Sequence, residues 1–361
     1  MNTLEIIVVG ICGVYVIYIL LFSLLLAFSK RSSQRTTTRS VTIVVPFRNE
    51  KSHLGKLLKS FSELDYPKEQ IEVILVNDHS SDGSENTNLE NFNFDIQIIN
   101  CEKEGKKAAL TTGITMASND IIVQTDADCV VPRYWLSTVV GELENSDLFC
   151  GTVLFSNSLI QNLELFAYQG VGKASLMLSS PILANGANMA YRKSDFIDIG
   201  GYQDNYKTSS GDDVFLLRSF AKHKKSIVYS FSPDACVSTT AEKSLIRFFQ
   251  QRVRWASKTG KSKHIGTLFA GTILLSTNLC VVFQIAIWTV YGFTYDIGLV
   301  AVLSKITIDI LILFLVALST RVYRPLLCLP IAITLYSLYI VLIAILCVFY
   351  RPEWKNRKIQ I

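Results

Sequence analysis

Apolar residues are spread very unevenly along this chain. Residues 6–28 carry no charge over 23 positions, residues 265–295 none over 31, and residues 325–350 none over 26. Each run exceeds the ~20 residues that a membrane-spanning helix needs. A fourth run, 297–320, is interrupted only by Lys305 and Asp309. Between the first and second runs lie about 235 residues of ordinary globular composition, enough for one large domain. The pattern predicts one hydrophobic helix, a domain outside the bilayer and a hydrophobic tail.

Inside the domain the period of the pattern changes repeatedly. Residues 41–45, VTIVV, read as a buried strand that stops at Pro46. Leu54, Leu57, Leu58 and Phe61 then share one face of an amphipathic helix over 51–63. Apolar, β-favouring runs at 71–76, 96–99 and 121–124 read as further strands, and a helix opens at Gly105-Lys106-Lys107 before the last of them. This β-α-β-α-β alternation argues for an α/β domain with a doubly wound, mostly parallel sheet. Residues 185–192 form a small polar loop entering a strand, and residues 245–258 an amphipathic helix at the membrane's edge. Neither G-x-x-x-x-G-K-[ST] nor G-x-G-x-x-G occurs, which disfavours an ATPase or a dinucleotide enzyme.

Charge adds an orientation. The net +5 sits largely beside the hydrophobic runs, which points to membrane lipid and away from nucleic acid as a partner. Residues 6–28 are preceded by Glu5 without Lys or Arg and followed by no A-x-A site, so they read as a retained anchor. The basic linker 29–40 places the domain in the cytoplasm by the positive-inside rule. The basic tail 351–361 favours the same side, which asks for an even number of crossings after the domain. The 265–295 and 297–320 runs are the weakest crossings on this view. Lys305 and Asp309, spaced i,i+4, either pair within a helix bundle or snorkel near one end. Eight Cys without a C-x-x-C pair read as reduced packing residues.

Candidate chemistry gathers at the predicted strand ends. Asp78, in Asn77-Asp78-His79-Ser80, suits either a base N–H or an ordinary turn or cap. Lys106, at a helix N-terminus, suits a diphosphate or is a solvated lysine. Asp126 and Asp128 close the fourth strand as Asp-x-Asp, a hard-cation pattern for Mg²⁺ or Mn²⁺ or else a turn. Asp212-Asp213 precedes a helical run, as helix cap or as general base. Gln251, Arg254 and Trp255 lie on the amphipathic helix, where Trp255 is also readable as an interfacial anchor.

In this order the motifs resemble those of the family 2 inverting glycosyltransferases, in the membrane branch with cellulose, chitin and hyaluronan synthases and ceramide glucosyltransferases. The resemblance covers about residues 41–258 and rests on Asp78, Lys106, Asp126 and Asp128, Asp213, and the Q-x-x-R-W of Gln251-Arg252-Val253-Arg254-Trp255. It implies a GT-A fold over 41–240, an interface helix over 241–264 and transmembrane or interfacial helices over 265–350. It also implies roles. Asp78 meets the base of a UDP-sugar, Lys106 its diphosphate, Asp126 the ribose and a divalent metal, and Asp128 that metal. Asp213, paired with Asp212 at the acceptor side, deprotonates the acceptor hydroxyl. Gln251 and Arg254 close over the nucleotide, and Trp255 lies near the acceptor sugar. The expected activity is inverting, metal-dependent transfer to a membrane lipid, a lipid-linked acceptor or a growing glycan at the cytoplasmic face of the inner or plasma membrane. A processive synthase exporting its polymer, with a homo-oligomer supplying the channel, is the alternative. A membrane transporter leaves the five motifs unexplained, and nothing supports a non-catalytic scaffold, because no key carboxylate is missing.

Overall fold

The four predicted strands form one continuous half of a seven-stranded sheet. They are β1 (Val41–Phe47), β2 (Ile71–Asn77), β3 (Asp95–Asn100) and β4 (Ile121–Gln124). All run parallel in the order β3-β2-β1-β4, and β1 and β2 are buried along their whole length. In the computed structural model, residues 3–29, 35–90, 92–203, 211–260, 264–293, 297–350, 353–354 and 357–358 are described. Residues 30–34 of the basic linker, Ser210 and the side chains of the basic tail lie outside them.

β1 runs through Pro46 instead of stopping there. The Val44 carbonyl accepts from Thr125 N on the β4 side, and β4 pairs with β1 only as far as Val44. Pro46, two residues on, directs its missing donor past the end of β4, so the sheet loses no hydrogen bond.

The other half of the sheet comes from segments that periodicity left mostly unassigned. β5 (Leu148–Gly151), β7 (Met189–Arg192) and β8 (Ile227–Ser230) complete the order β3-β2-β1-β4-β7-β5-β8, with β7 antiparallel to β4 and β5. β6 (Val153–Phe155) and β9 (Val237–Thr239) form a small parallel pair beside it. These strands are three or four residues long, too short for a period to announce. The expected doubly wound, mostly parallel α/β sheet is observed with one reversed strand.

Helices cover both faces. α2 (Lys51–Ser62), through Leu54, Leu57, Leu58 and Phe61, packs with α4 (Trp135–Leu143) on one side. On the other lie α3 (Lys106–Met116), α5 (Leu159–Met177), α6 (Lys193–Asp198) and α7 (Asp212–Lys222). This second core runs without a break into the hydrophobic helices: Phe22 and Leu26 of α1 (Thr3–Phe28) and Ile312 and Val316 of α10 (Ile297–Thr320) belong to it.

The amphipathic α8 (Leu245–Gly260) leads to α9 (Ile265–Tyr291), and α11 (Leu329–Phe349) closes the bundle. Among the described residues four helical segments are long and apolar enough to cross a membrane: Glu5–Phe28, Ile265–Tyr291, Ile297–Thr320 and Arg324–Phe349. The Lys305 ammonium lies 2.8 Å from Asp309, whose other oxygen accepts from the Tyr15 hydroxyl at 2.6 Å, and Lys305 is buried. The pair therefore faces protein and does not snorkel. α9 and α10 are each unbroken. α11 is the segment with an unusual path. The turn before it packs on α5, and at its far end the Cys347 thiol and the Tyr350 hydroxyl meet α8 at Val253 O and Gln250. Both ends of α11 thus lie against elements of the domain.

Candidate active site

The carboxyl edge of the sheet holds the predicted residues, because each strand there ends in a polar turn. Asp78 follows β2 and is almost fully buried; its Oδ1 accepts from Gly105 N at 3.0 Å, and its backbone N–H donates to Phe47 O. Gly105 has φ +114°, which carries the chain straight into α3 and places Lys106 over the end of β4.

Lys106 does not point to open solvent. Its Nζ lies 2.6 Å from Asp126 Oδ1 and 3.3 Å from Asp212 Oδ2. Burial opposes its charge, but Asp126 and Asp212, and Asp213 more distantly, outweigh this and raise its pKa. The Asp126 side chain is 35% exposed. Burial, then the charges of Asp128 and Asp212, lift its pKa above the usual carboxylate range, against the pull of Lys106. Lys106 contacts two carboxylates, and Asp126, Asp128, Asp212 and Asp213 together face three cations, Lys106, Arg254 and Arg218, which leaves acid in excess by one.

Asp212 and Asp213 open α7 after Gly211, whose φ of +87° turns the chain into the helix. The bland cap reading therefore falls to neither Asp, since Gly211 occupies the cap position. Asp213 Oδ1 accepts from Val214 N at 2.8 Å. Arg254, on α8, feels Asp213, Asp212 and Asp126, although burial lowers its pKa. Trp255 stands next to Tyr168 of α5 at 6.1 Å between ring centroids. Burial, then Asp213 and Glu164, raises the pKa of Tyr168, so this phenol lies close to the same cluster. Gln251 accepts a hydrogen bond from Arg252.

Asp128 is tied to a second strand, β9. Its Oδ2 accepts from Thr239 Oγ1 at 3.1 Å, while its charge still acts on Asp126. Among the described residues no three His, Cys, Asp or Glu side chains are gathered tightly enough for a metal ion. The donor set is nevertheless suited to Mg²⁺ or Mn²⁺, which are typically held by one or two carboxylates together with substrate phosphates. The surplus of carboxylates marks where that charge fits.

Two features escaped the sequence reading. Gly186 sits against the acidic cluster, where an added Cβ would meet Asp212 Oδ2 at 2.8 Å and Lys106 Nζ at 3.4 Å. Its loop is stitched to β4 by Gln124 Nε2 donating to Gly186 O and Thr125 Oγ1 to Ala187 O, both at 2.8 Å. The polar, small-residue composition of 185–188 was the available signal. Arg252, the unremarked position of Q-x-x-R-W, is fully buried.

Residues 42–199 match the family model described as Glycosyl transferase family 2. Glycosyltransferase AglE of Haloferax volcanii is 24% identical over 270 residues, covering 72% of this chain and 82% of that protein. A poly-beta-1,6-N-acetyl-D-glucosamine synthase of Staphylococcus epidermidis is 26% identical over 242 residues, covering 62% of this chain but only 55% of the synthase. The solved structure of the mannosyltransferase PcManGT from Pyrobaculum calidifontis, in complex with GDP-Man and Mn²⁺, matches over 96% of this chain and 99% of its own. Its TM-score is 0.57 at 19% identity, a likeness of fold, and the fold is of GT-A type.

Proposed function

Because this chain carries a family 2 glycosyltransferase domain, we propose that it transfers a sugar from a UDP-sugar to a lipid or lipid-linked acceptor at the cytoplasmic membrane face, inverting the anomeric carbon. The observation that carries this reading is the charge-deficient cleft in which Lys106 bridges Asp126 and Asp212, with Asp213 and Arg254 beside it. That cleft adjoins α5 and α8, which pack on the hydrophobic helices. A membrane-held acceptor therefore reaches it without leaving the bilayer surface.

The residues divide the chemistry as follows. Asp78, buried at the edge of β2, accepts from the base. Lys106 and Arg254 stabilise the diphosphate, on which negative charge grows as the glycosidic C–O bond breaks. A divalent cation, Mg²⁺ or Mn²⁺, held by Asp126, Asp128 and the donor's phosphates, supplies further neutralisation of that charge when bound. Asp213 takes the proton from the acceptor hydroxyl, whose oxygen forms the new bond on the opposite face of the sugar. One base and one displacement give inversion. Gln251 closes over the nucleotide beside Arg254, and Trp255 and Asp212 border the acceptor side, Asp212 also holding Lys106. Four long hydrophobic helices are few for a pore within one chain, which favours one or a few additions over an exported polymer.

The test uses purified membranes and a panel of radiolabelled UDP-sugars, with GDP-Man as a comparison arm. UDP release and a lipid-extractable product are expected. Asp213→Asn should keep nucleotide binding and lose about 10²–10⁴-fold in turnover. Undiminished turnover in that variant removes Asp213 as base. Release from GDP-Man alone replaces the donor, and a long polysaccharide replaces the product.

A further inference from the structure

Arg252 lies among the motif residues of α8 but turns away from the cleft. Its side chain is 1% exposed, rare for arginine. Nε and Nη2 reach Glu164 Oε2 of α5 at 2.8 and 2.7 Å, Nη2 also reaches Gln161 Oε1 at 3.2 Å, and Nη1 donates to Gln251. The guanidinium lies 4.4 Å from the Phe248 ring centroid and 4.6 Å from that of Trp255. The second Glu164 oxygen accepts from the Tyr339 hydroxyl of α11 at 2.7 Å. Glu164 and Tyr168, one turn apart on α5, thus grip Arg252 and Trp255, one turn apart on α8.

A buried ion pair is a weak route to stability, because well-packed apolar residues often serve as well. What a planar guanidinium fork adds is a fixed orientation. Here it sets the rotation of α8 about its own axis. That rotation determines where Arg254 and Trp255, two and three residues further on, face the cleft.

We propose that Arg252 is a positioning residue. It locks α8 to α5 and, through Glu164 and Tyr339, to α11, so that the placement of Trp255 and Arg254 follows the seating of the C-terminal hydrophobic helix. This rests on the site described under Proposed function.

The experiment compares Arg252→Met, Arg252→Lys, Tyr339→Phe and the double variant Glu164→Leu/Arg252→Met in the full-length protein. Tm, kcat, donor KM and iodide quenching of Trp255 emission are read, the last isolated by difference from Trp255→Phe. Arg252→Met should lower both Tm and kcat. The double variant removes both charges and should regain Tm, yet keep a kcat about ten- to a hundredfold down with donor KM within about twofold, and a more quenchable Trp255. Arg252→Lys should keep the charge without the fork and fall between. Tyr339→Phe should lower kcat while leaving Arg252 paired. Recovery of kcat together with Tm in the double variant, or Trp255 quenching as in the unaltered protein, would overturn the proposal. If the unaltered protein turns over no nucleotide sugar, the functional reading falls, and Trp255 quenching still decides the positioning role.

Discussion

Adding one methyl group at Gly186 is expected to slow turnover without unfolding the domain. Its φ is not in the left-handed region, so Ala fits the backbone and the effect is steric alone. The new Cβ would stand 2.8 Å from Asp212 Oδ2, and ordinary contact begins near 3.4 Å, so the carboxylate must retreat by about 0.6 Å. If that motion lengthens the 3.3 Å contact to Lys106 by the same amount, an effective dielectric of about 20 gives a loss of about 0.8 kcal/mol. Overpacking adds a cost of about 1–3 kcal/mol. Displacement of a charged group in the cleft by about an ångström typically costs about 10²-fold in rate. Gly186→Ala should therefore lower kcat/KM by about ten- to a hundredfold, with only a few degrees lost from Tm. Gly55→Ala on α2, whose Cβ meets nothing within 4 Å, is the control and should gain about 0.5–1 kcal/mol. UDP release and a thermal melt are measured on both. Unaltered kinetics for Gly186→Ala would refute the close approach of this loop to Asp212. A melt that collapses in proportion to activity would show that the methyl disturbs the fold and not the site.

Further outcomes follow from other parts of the molecule. EDTA should stop transfer and Mg²⁺ or Mn²⁺ restore it, and Asp128→Ala should lose donor binding as well as rate; full activity after thorough chelation would remove the metal from the cleft. Asp147 Oδ2 accepts from Ser226 N and Oγ, each at 2.8 Å. Burial raises its pKa, but these bonds, with Arg192 and Lys225, hold it below the ordinary value. Its stabilisation is then complete above the unfolded pKa of about 3.9 and fades as pH falls through the lower folded value, so Asp147→Asn should flatten the acid side of a Tm-against-pH curve. Because α11 begins and ends against the domain, a protease-cleavable tag after residue 361 should be digested from the same membrane side as the domain; digestion only from the opposite side would mean that α11 crosses.

How far the chain declares itself depends on the length of each signal. Twenty or more uncharged residues cannot be mistaken, and the runs behind α1, α9, α10 and α11 were all legible. The apolar runs of β1, β2 and β4 announced the parallel half of the sheet, since strands buried on both faces need continuous Val, Ile and Leu, and β3, half-buried at the edge, still carried three Ile. The polar turns after them announced Asp78, Asp126 and Asp128 as candidates at one edge, and the Asp212-Asp213 pair announced itself by preceding a helical run. Beyond that, residues distant in sequence decide the outcome. Apart from β7, which the 185–192 segment had signalled, the short strands β5, β6, β8 and β9 owe their state to pairing, not to pattern. That Lys106 bridges Asp126 and Asp212, that Asp128 turns to Thr239, and that Gly186 must lack a side chain are consequences of three-dimensional neighbours 20 to 111 residues away. Hydropathy measures how greasy α11 is but not which way it runs. Its return to α8 is set by contacts at Gln250, Val253 and Glu164, which only the packed structure brings within reach.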